Sequence, residues 1–195
     1  MRIYHADTST FRSALALVKG RGQSAESAAA WSLLLWALRR EFGMESMPGT
    51  AEDGNGKPYF PSRPDLHFSL SHTRGHVLCA LSGSPVGADV QAVSEKDLKF
   101  AGKLMSARER ELFTLHELWC LRESVYKLTG KGSLRTMPFD RDADGEIAPP
   151  FSGVVCRLYS GVPGCACAAA AYAPGQLPER PVEVPVSELQ KGVVI

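Results

Sequence analysis

The hydrophobic pattern of the chain changes period near His67, and this change limits the folds it can adopt. Before it, residues 24–42 have the apolar spacing and basic last turn of a helix that ends at Gly43. After it, polar and apolar residues first alternate and then give way to short apolar runs. The predicted strands cover residues 67–73, 77–81 and 86–93. The pattern therefore predicts a helix followed by a meander of strands.

The second half of the chain repeats this clustering of elements. Two helices are predicted at about 106–113 and 115–128, the second ending at Gly130, and strands follow at 154–159 and 165–172. Helices and strands in clusters, rather than in strict alternation, favour an α+β fold over a doubly wound sheet. The proline-rich tail from residue 175 predicts a loosely attached end.

Composition excludes several classes of protein. Lysine and arginine number 22 against 21 aspartates and glutamates, so no global charge attracts nucleic acid or an anionic membrane. The longest largely apolar stretch, residues 28–38, is about half of the roughly 20 residues that span a bilayer. The polar N-terminus does not resemble a signal peptide, and five cysteines without a CxxC pair fit a reducing compartment. We expect a cytoplasmic protein without membrane or nucleic-acid partners.

A predicted helix places an acid and a base on one face. Trp119, Glu123 and Lys127 are spaced four residues apart, so their side chains lie along one side of the helix. An ordinary surface Glu–Lys pair beneath a core tryptophan explains the same spacing. A functional role therefore needs support from elsewhere in the chain.

That support comes from an aspartate in an apolar strand. Asp89 is costly to bury unless it is paired or binds a metal, and Gln91 lies on the same strand face. With Glu123 they offer oxygen ligands of the kind that Mg²⁺ prefers. A strand-end aspartate that caps a turn is the alternative. Zinc is disfavoured because the histidines near this strand have no cysteine partners at suitable spacing.

A third group of residues precedes this strand. Gly56, Lys57 and Pro58 are followed by Ser71 and His72, which together supply an ammonium, a hydroxyl and an imidazole for phosphate recognition. Neither of the common glycine-rich phosphate motifs is present, so a surface lysine beside polar strand ends is also possible. Residues 140–145 begin like a calcium loop but lack its final glutamate, which favours a hairpin turn instead.

Four segments in order make a family resemblance visible. GKPYFP, FSLSHT, GADVQ and WCLRESVYKLTGKG are similar to motifs of the 4′-phosphopantetheinyl transferases. The chain resembles the surfactin-synthetase-activating (Sfp) type more than the shorter trimeric holo-acyl-carrier-protein synthases. The resemblance covers roughly residues 56–144, a little under half of the chain.

The resemblance implies a fold, a reaction and partners. Members of this type fold as two similar α+β halves about a pseudo-twofold, which here would be residues 1–88 and 89–195, with coenzyme A between them. They use Mg²⁺ to transfer phosphopantetheine from coenzyme A to a serine of an apo acyl or peptidyl carrier protein, and 3′,5′-ADP leaves. We expect a monomer.

The resemblance also implies roles for single residues. Asp89, Gln91 and Glu123 match the metal ligands, although Gln91 stands where the family commonly has glutamate. Lys127 matches a residue that neutralises phosphate charge, and Glu123 is also the candidate base. The positions that match coenzyme A contacts are Gly56, Lys57 and Pro58 at the adenine end, and Ser71 and His72 at the phosphates.

Other positions are weaker expectations. Arg122 replaces the family's usual lysine and is expected to keep a phosphate contact. Lys19 and Arg21 are candidates for the 3′-phosphate by position alone. Carrier recognition is expected to use an apolar patch with basic neighbours, and three residues in that region serve either this surface or the core: Leu104, Met105 and Phe113.

Three functions remain open at this point. A transferase would add mass to an apo carrier protein. A binding protein would dock coenzyme A or carrier domains without turnover and would leave the carrier's mass unchanged, and Gln91 makes this reading conceivable. A pyrophosphate hydrolase would consume coenzyme A without a carrier, although such enzymes usually have a denser acidic cluster. The retention of Glu123 and Lys127 favours the transferase.

Overall fold

A computed structural model describes residues 1–9 and 24–191 of the chain, with side chains described to residue 189. Lys19 and Arg21 lie outside the described residues. The strands are β1 (Arg2–Asp7), β2 (Ala51–Glu52), β3 (Pro58–Tyr59), β4 (His67–Thr73), β5 (His76–Ser82), β6 (Gly87–Ala92), β7 (Asp140–Arg141), β8 (Ile147–Ala148), β9 (Val155–Tyr159), β10 (Cys165–Ala171) and β11 (Val182–Glu183). The α-helices are α1 (Ala25–Phe42), α2 (Ala101–Leu104), α3 (Ala107–Leu112), α4 (Leu115–Thr129) and α5 (Val186–Lys191).

The first sheet has the strand order β11-β1-β5-β4 and packs against α1. Its strands pair antiparallel except β11, which runs parallel to β1. The predicted helix is confirmed: Ser24 caps its first turn through a bond from the Ser27 N–H, and Gly43 ends it in the left-handed conformation. Three leucines of α1 are fully buried against the sheet: Leu33, Leu34 and Leu38.

The second sheet has the order β6-β10-β9, all antiparallel, and packs against α4. The predicted bounds of this helix are also confirmed. Thr114 and Glu117 form a capping box at its start, and Gly130 ends it with a positive φ of 67°. Small alanines on β10 let α4 lie close to the sheet, which brings the helix over β6.

Side-chain hydroxyls join the two sheets where β4 runs beside β6. The hydroxyls alternate along β4 and bind backbone groups of β6, and all of them are buried. The pairs are Ser69 with Ala88 at 3.0 and 3.3 Å, Ser71 with Val90 at 3.3 Å, and Thr73 with Ala92 at 3.2 Å. We call these residues the hydroxyl seam. It fixes the register of β6 against β4.

The expectation of a loose C-terminal end is wrong. β11 pairs with β1, and α5 packs on α1, with Val184 and Leu189 each 1% exposed in the core beneath. This burial of apolar side chains holds the tail against the first sheet despite its prolines. The division suggested at residues 88 and 89 falls inside β6, and the C-terminal segment returns to the first sheet.

The molecule is thus a mixed α and β protein with five α-helices among its described residues. The segment before β4 is largely irregular and contains the short β2–β3 hairpin. The predicted hairpin turn within residues 140–145 is confirmed, because β7 pairs with β8 around Gly145 at a φ of 82°. Within the described ranges, no helix is both long enough and apolar enough to cross a membrane.

Candidate functional site

Asp89 is the centre of a charged cluster between β6 and α4. Its carboxylate is buried, and its Oδ1 accepts hydrogen bonds from the Lys127 ammonium at 2.7 Å and the Ser71 hydroxyl at 2.6 Å. Lys127 also donates to the Ala88 carbonyl at 3.2 Å. The structure thus brings two candidate site residues, Asp89 and Lys127, into contact, and the pairing offsets the cost of burying the carboxylate.

Glu123 lies one helical turn before Lys127 and belongs to the same cluster. Burial raises the pKa of its carboxyl group, the Lys127 ammonium opposes this rise, and the negative charge of Asp89 adds to it. The carboxylate of Glu123 makes no hydrogen bond with the other residues that the structure describes. The two carboxylates repel each other at a partly buried position, and a bound hard cation would reduce this repulsion.

The donor set fits Mg²⁺ in kind, although it is small. Proteins usually give this ion one or two carboxylates, and water and substrate phosphate complete its shell. Asp89 and Glu123 supply two. Within the described part of the chain, no group of three or more histidines, cysteines, aspartates or glutamates is arranged to hold a metal ion by itself. The residues therefore fit a cation that a phosphate ligand helps to bind.

A cavity of about 350 Å³ opens beside this cluster and brings together five predicted site residues. Residues of both sheet layers line it, including Phe68 on β4 and Tyr126 on α4. The predicted residues in its wall are Gly56, Lys57, Pro58, Glu123 and Lys127. The cavity thus has two ammonium groups and aromatic rings in its wall, which suits an anionic ligand with an aromatic group.

Lys57 reaches this cavity from the β2–β3 hairpin. Its ammonium donates to the Val86 carbonyl at 2.6 Å, and the backbone N–H of Lys57 donates to the Asp53 carboxylate at 2.9 Å. Burial lowers the pKa of the Lys57 ammonium to about 8; Asp53 opposes this shift and Lys127 adds to it. A buried cation beside a second cation favours a bound anion.

Comparison with known proteins agrees with this geometry. The chain is 31% identical over 153 residues to "4′-phosphopantetheinyl transferase Sfp" of Bacillus subtilis (strain 168), a match that covers 69% of this chain and 67% of the relative. The chain belongs to the 4′-phosphopantetheinyl transferase family. No family model matches the sequence.

Two further relatives in this family match over shorter stretches. A transferase of Bacillus pumilus named psf-1 is 37% identical over 91 residues, and one of Aneurinibacillus migulanus named gsp is 36% identical over 87 residues. These matches span only 39% and 36% of the length of the two relatives.

The structure separates Ser71 and His72, which the family motif places together. The Ser71 hydroxyl points to β6 and is held between Asp89 and the Val90 N–H. His72 lies on the opposite face of β4, where its Nδ1 is 3.5 Å from the Glu26 carboxylate of α1. Neither of them lines the large cavity.

Gln91 and Trp119 face a second cavity of about 240 Å³ along the same groove between β6 and α4. An ion pair of Arg74 and Asp97 at 4.0 Å lies in its wall. Gln91 shares a strand face with Asp89, as its spacing predicts, yet it lines a different cavity from Glu123. Its place in a metal shell stays a prediction.

The expected phosphate contact of Arg122 is wrong for this structure. The side chain is only 2% exposed, pairs with Glu109 at 2.9 Å and donates to carbonyl groups of several loop residues. These carbonyls belong to Leu104, Leu134, Arg135 and Met137. A guanidinium with these partners stabilises the loops around α4. Each of its nitrogens already binds a group of the protein rather than a ligand.

Two residues that support the site, Cys120 and Asp53, were not predicted from the sequence. Cys120 is fully buried, and its thiol lies near enough to Asp89 for that charge to raise the pKa of the thiol further, after burial. Asp53 accepts from two N–H groups and shapes the hairpin that carries Lys57. The DGNG turn pattern could have indicated Asp53, whereas no local pattern indicates Cys120.

Proposed function

We propose that this protein transfers the 4′-phosphopantetheine group of coenzyme A to a serine of an apo acyl or peptidyl carrier protein, with Mg²⁺, and releases 3′,5′-ADP. The observation that carries the proposal is the cluster of Asp89, Glu123 and Lys127 beside a cavity with a second buried lysine, in a chain of this family. We also propose that the two layers of sheet and helix are halves related by a pseudo-twofold, with coenzyme A between them.

Binding of coenzyme A is assigned to the large cavity. Gly56, Lys57 and Pro58 would contact the adenine end, and the aromatic wall offers a surface for the base. We keep His72 as a candidate for the 3′-phosphate, because it is 41% exposed and can turn from Glu26 toward a stronger anion. The proposed contact of Ser71 with the nucleotide is reconsidered below.

The transfer itself needs positioning and charge neutralisation more than covalent help. The carrier serine oxygen attacks the β-phosphorus of the pyrophosphate, the bond from that phosphorus to the bridging oxygen breaks, and the bridging oxygen leaves with 3′,5′-ADP. Lys127 is placed to stabilise negative charge on the phosphoryl group. Bound Mg²⁺, held by Asp89 and Glu123 with Gln91 as a third, neutral oxygen ligand, would neutralise the pyrophosphate.

Glu123 is also the candidate acceptor of the serine proton. Its pKa is raised by burial, which makes the carboxylate a stronger base than an exposed glutamate. General-base catalysis is worth about 10²–10⁴-fold in rate. The ligand and base roles of Glu123 are compatible because a carboxylate has two oxygens.

Carrier docking is assigned to an exposed apolar patch that follows β6. Leu98 is 53% exposed and Phe100 is 42% exposed. Three exposed lysines lie close to them in the chain: Lys96, Lys99 and Lys103. We call these five residues the basic apolar patch, and its charge suits an acidic carrier helix. Of the earlier candidates, Met105 and Phe113 are core residues, at 7% and 5% exposed.

The test is intact-protein mass spectrometry of an apo-acyl carrier protein incubated with the full chain, coenzyme A and Mg²⁺. A mass gain of one phosphopantetheine that disappears with EDTA is expected. No gain with several unrelated carriers would favour a coenzyme A or carrier-binding protein without turnover. Consumption of coenzyme A without a carrier would instead favour a hydrolase.

A further inference from the structure

Ser71 differs from the other members of the hydroxyl seam in one contact. Ser69 and Thr73 bind backbone groups of β6, whereas Ser71 binds a backbone N–H and also a charged side chain of the site. Its hydroxyl donates to Asp89 Oδ1 at 2.6 Å, the shorter of the two bonds to that oxygen. The seam therefore reaches the charged cluster at a single point.

The Ser71 hydroxyl already donates one hydrogen bond and accepts another within the protein. A serine hydroxyl has one proton, and Ser71 gives it to Asp89 while its oxygen accepts the Val90 N–H at 3.3 Å. The residue is 8% exposed and does not line the large cavity. It has no second proton for a phosphate oxygen.

A fixed donor matters for a carboxylate because the last torsion of aspartate is broad. Rotation about this bond moves both oxygens, and no single staggered position holds them. Ser71 and Lys127 approach the same oxygen from two elements, β4 and α4. Together they hold Oδ1 in place, and the other oxygen of the carboxylate is left for a cation.

We propose that Ser71 is a positioning residue that orients the Asp89 carboxylate for the cation, and that it does not contact the nucleotide. This inference rests on the proposed function, because it assumes that Asp89 binds the metal. It replaces the role that the motif alone suggests for Ser71. Residues that orient metal ligands typically change metal affinity or activity by about 10–100-fold when they are lost.

The hydroxyl seam contains its own matched control. Ser71→Ala and Thr73→Val each remove one buried hydroxyl from the same strand, and each leaves an N–H of β6 without its acceptor. Both variants should therefore lose similar stability, measured by urea denaturation. Only Ser71→Ala also removes the donor to Asp89. Ser71→Cys, with a weaker donor of similar size, serves if Ser71→Ala does not fold.

The deciding measurement is binding of Mn²⁺ to the complex of the full chain with coenzyme A, followed by electron paramagnetic resonance. Ser71→Ala should weaken Mn²⁺ binding by about 10-fold or more, with an intermediate loss for Ser71→Cys. Thr73→Val, at a residue outside both cavities, should leave it nearly unchanged. Equal Mn²⁺ affinity in Ser71→Ala and Thr73→Val would overturn the proposal.

A second readout separates positioning from nucleotide contact. The affinity for 3′,5′-ADP without metal, measured by calorimetry, should be the same in Ser71→Ala and the unchanged chain. A loss confined to Ser71→Ala would assign the hydroxyl to the nucleotide and overturn the proposal. In transfer assays, kcat should fall while KM for coenzyme A stays constant. If the unchanged chain transfers nothing, the proposed function fails, but the Mn²⁺ and nucleotide measurements still test Ser71.

Discussion

At the scale of residues, Lys57 combines a positive charge with a buried position, and this combination makes its function depend on pH. Its pKa of about 8 means that the side chain is charged at pH 7 and largely neutral at pH 9. We expect the affinity for 3′,5′-ADP to fall across this range, because the neutral amine attracts phosphate weakly. Calorimetry at pH 7, 8 and 9 measures this fall.

The exposed Lys131 provides the control for this prediction. Lys57→Met should bind the nucleotide weakly and lose the pH dependence near 8, whereas Lys131→Met should keep it. The lowered pKa of Lys57 also affects the stability of the folded chain. Because the unfolded chain holds this proton up to about pH 10.5, the penalty for the buried charge is full below pH 8 and disappears between these values. If the nucleotide affinity of Lys57→Met kept the pH dependence of the unchanged chain, the assignment of Lys57 to the nucleotide site would be contradicted.

Gln91 offers a second prediction at this scale. If its amide oxygen contributes to the metal shell, Gln91→Glu should lower the Mg²⁺ concentration for half-maximal transfer, because a carboxylate binds the ion more strongly than an amide. Gln91→Met, which keeps the approximate size without an oxygen, should raise it. The same Mg²⁺ requirement in all three proteins would place this side chain outside the shell and within the second cavity alone.

Residue types were predicted better than residue surroundings. Asp89, Glu123 and Lys127 stood out because acidic and basic groups at fixed spacing are visible in the sequence, and the structure brings the Asp89 and Lys127 side chains into contact. The surroundings of Arg122 were not visible. Its partners come from segments 12 to 18 residues away, and only the folded loops show that the charge is enclosed.

At the scale of elements, the close approach of β6 and α4 explains why Asp89 can meet Lys127. Gly87 stands where the two elements are nearest, and a methyl group added there would lie 1.9 Å from the Ser124 carbonyl oxygen. Backbone atoms cannot move aside as a flexible side chain can. A glycine is therefore required at this crossing for steric reasons, without any unusual backbone angle.

Substitution of this glycine should be costly. We expect Gly87→Ala to force α4 away from β6 and to lower the free energy of unfolding by about 1–3 kcal/mol or more, as overpacking does. Gly102→Ala in α2 is the matched control, since its added methyl group meets nothing within 4 Å and improves helix propensity. Urea denaturation measures both. Equal effects of the two substitutions would contradict the steric explanation.

Helices α1, α3 and α4 were predicted to within a residue or two because their end signals are local, whereas the short helices α2 and α5 were not predicted. Ser24, Gly43, Thr114 and Gly130 mark these ends within a single turn of sequence. The pairing of β11 with β1 could not be predicted in this way, because the partners are about 178 positions apart in the chain and two residues of strand carry little pattern.

At the scale of the whole molecule, function depends on how two sheet layers meet. The hydroxyl seam joins β4 to β6, the large cavity has walls from both layers, and Asp89 lies at the junction. The sequence showed alternating hydroxyls in FSLSHT but not which strand they face. Such contacts between distant segments decide the site's geometry, and periodicity alone does not record them.

The basic apolar patch leads to a prediction about the assembled reaction. Lys99→Glu should raise KM for an acidic carrier protein and leave the affinity for coenzyme A unchanged, because this lysine lies outside both cavities. Arg180→Glu, an exposed charge reversal elsewhere on the surface, is the matched control with the same change in net charge. Steady-state transfer rates at varied carrier concentration measure the difference.

Salt separates docking from a general charge effect. Added salt should raise KM for the unchanged chain and reduce the difference between it and Lys99→Glu, because screening weakens exposed charge pairs. Leu98→Asp should raise KM even at high salt, since it removes apolar contact area as well. If Lys99→Glu and Arg180→Glu behave alike at low salt, the carrier does not dock on this patch, and its acidic surface must meet another face of the molecule.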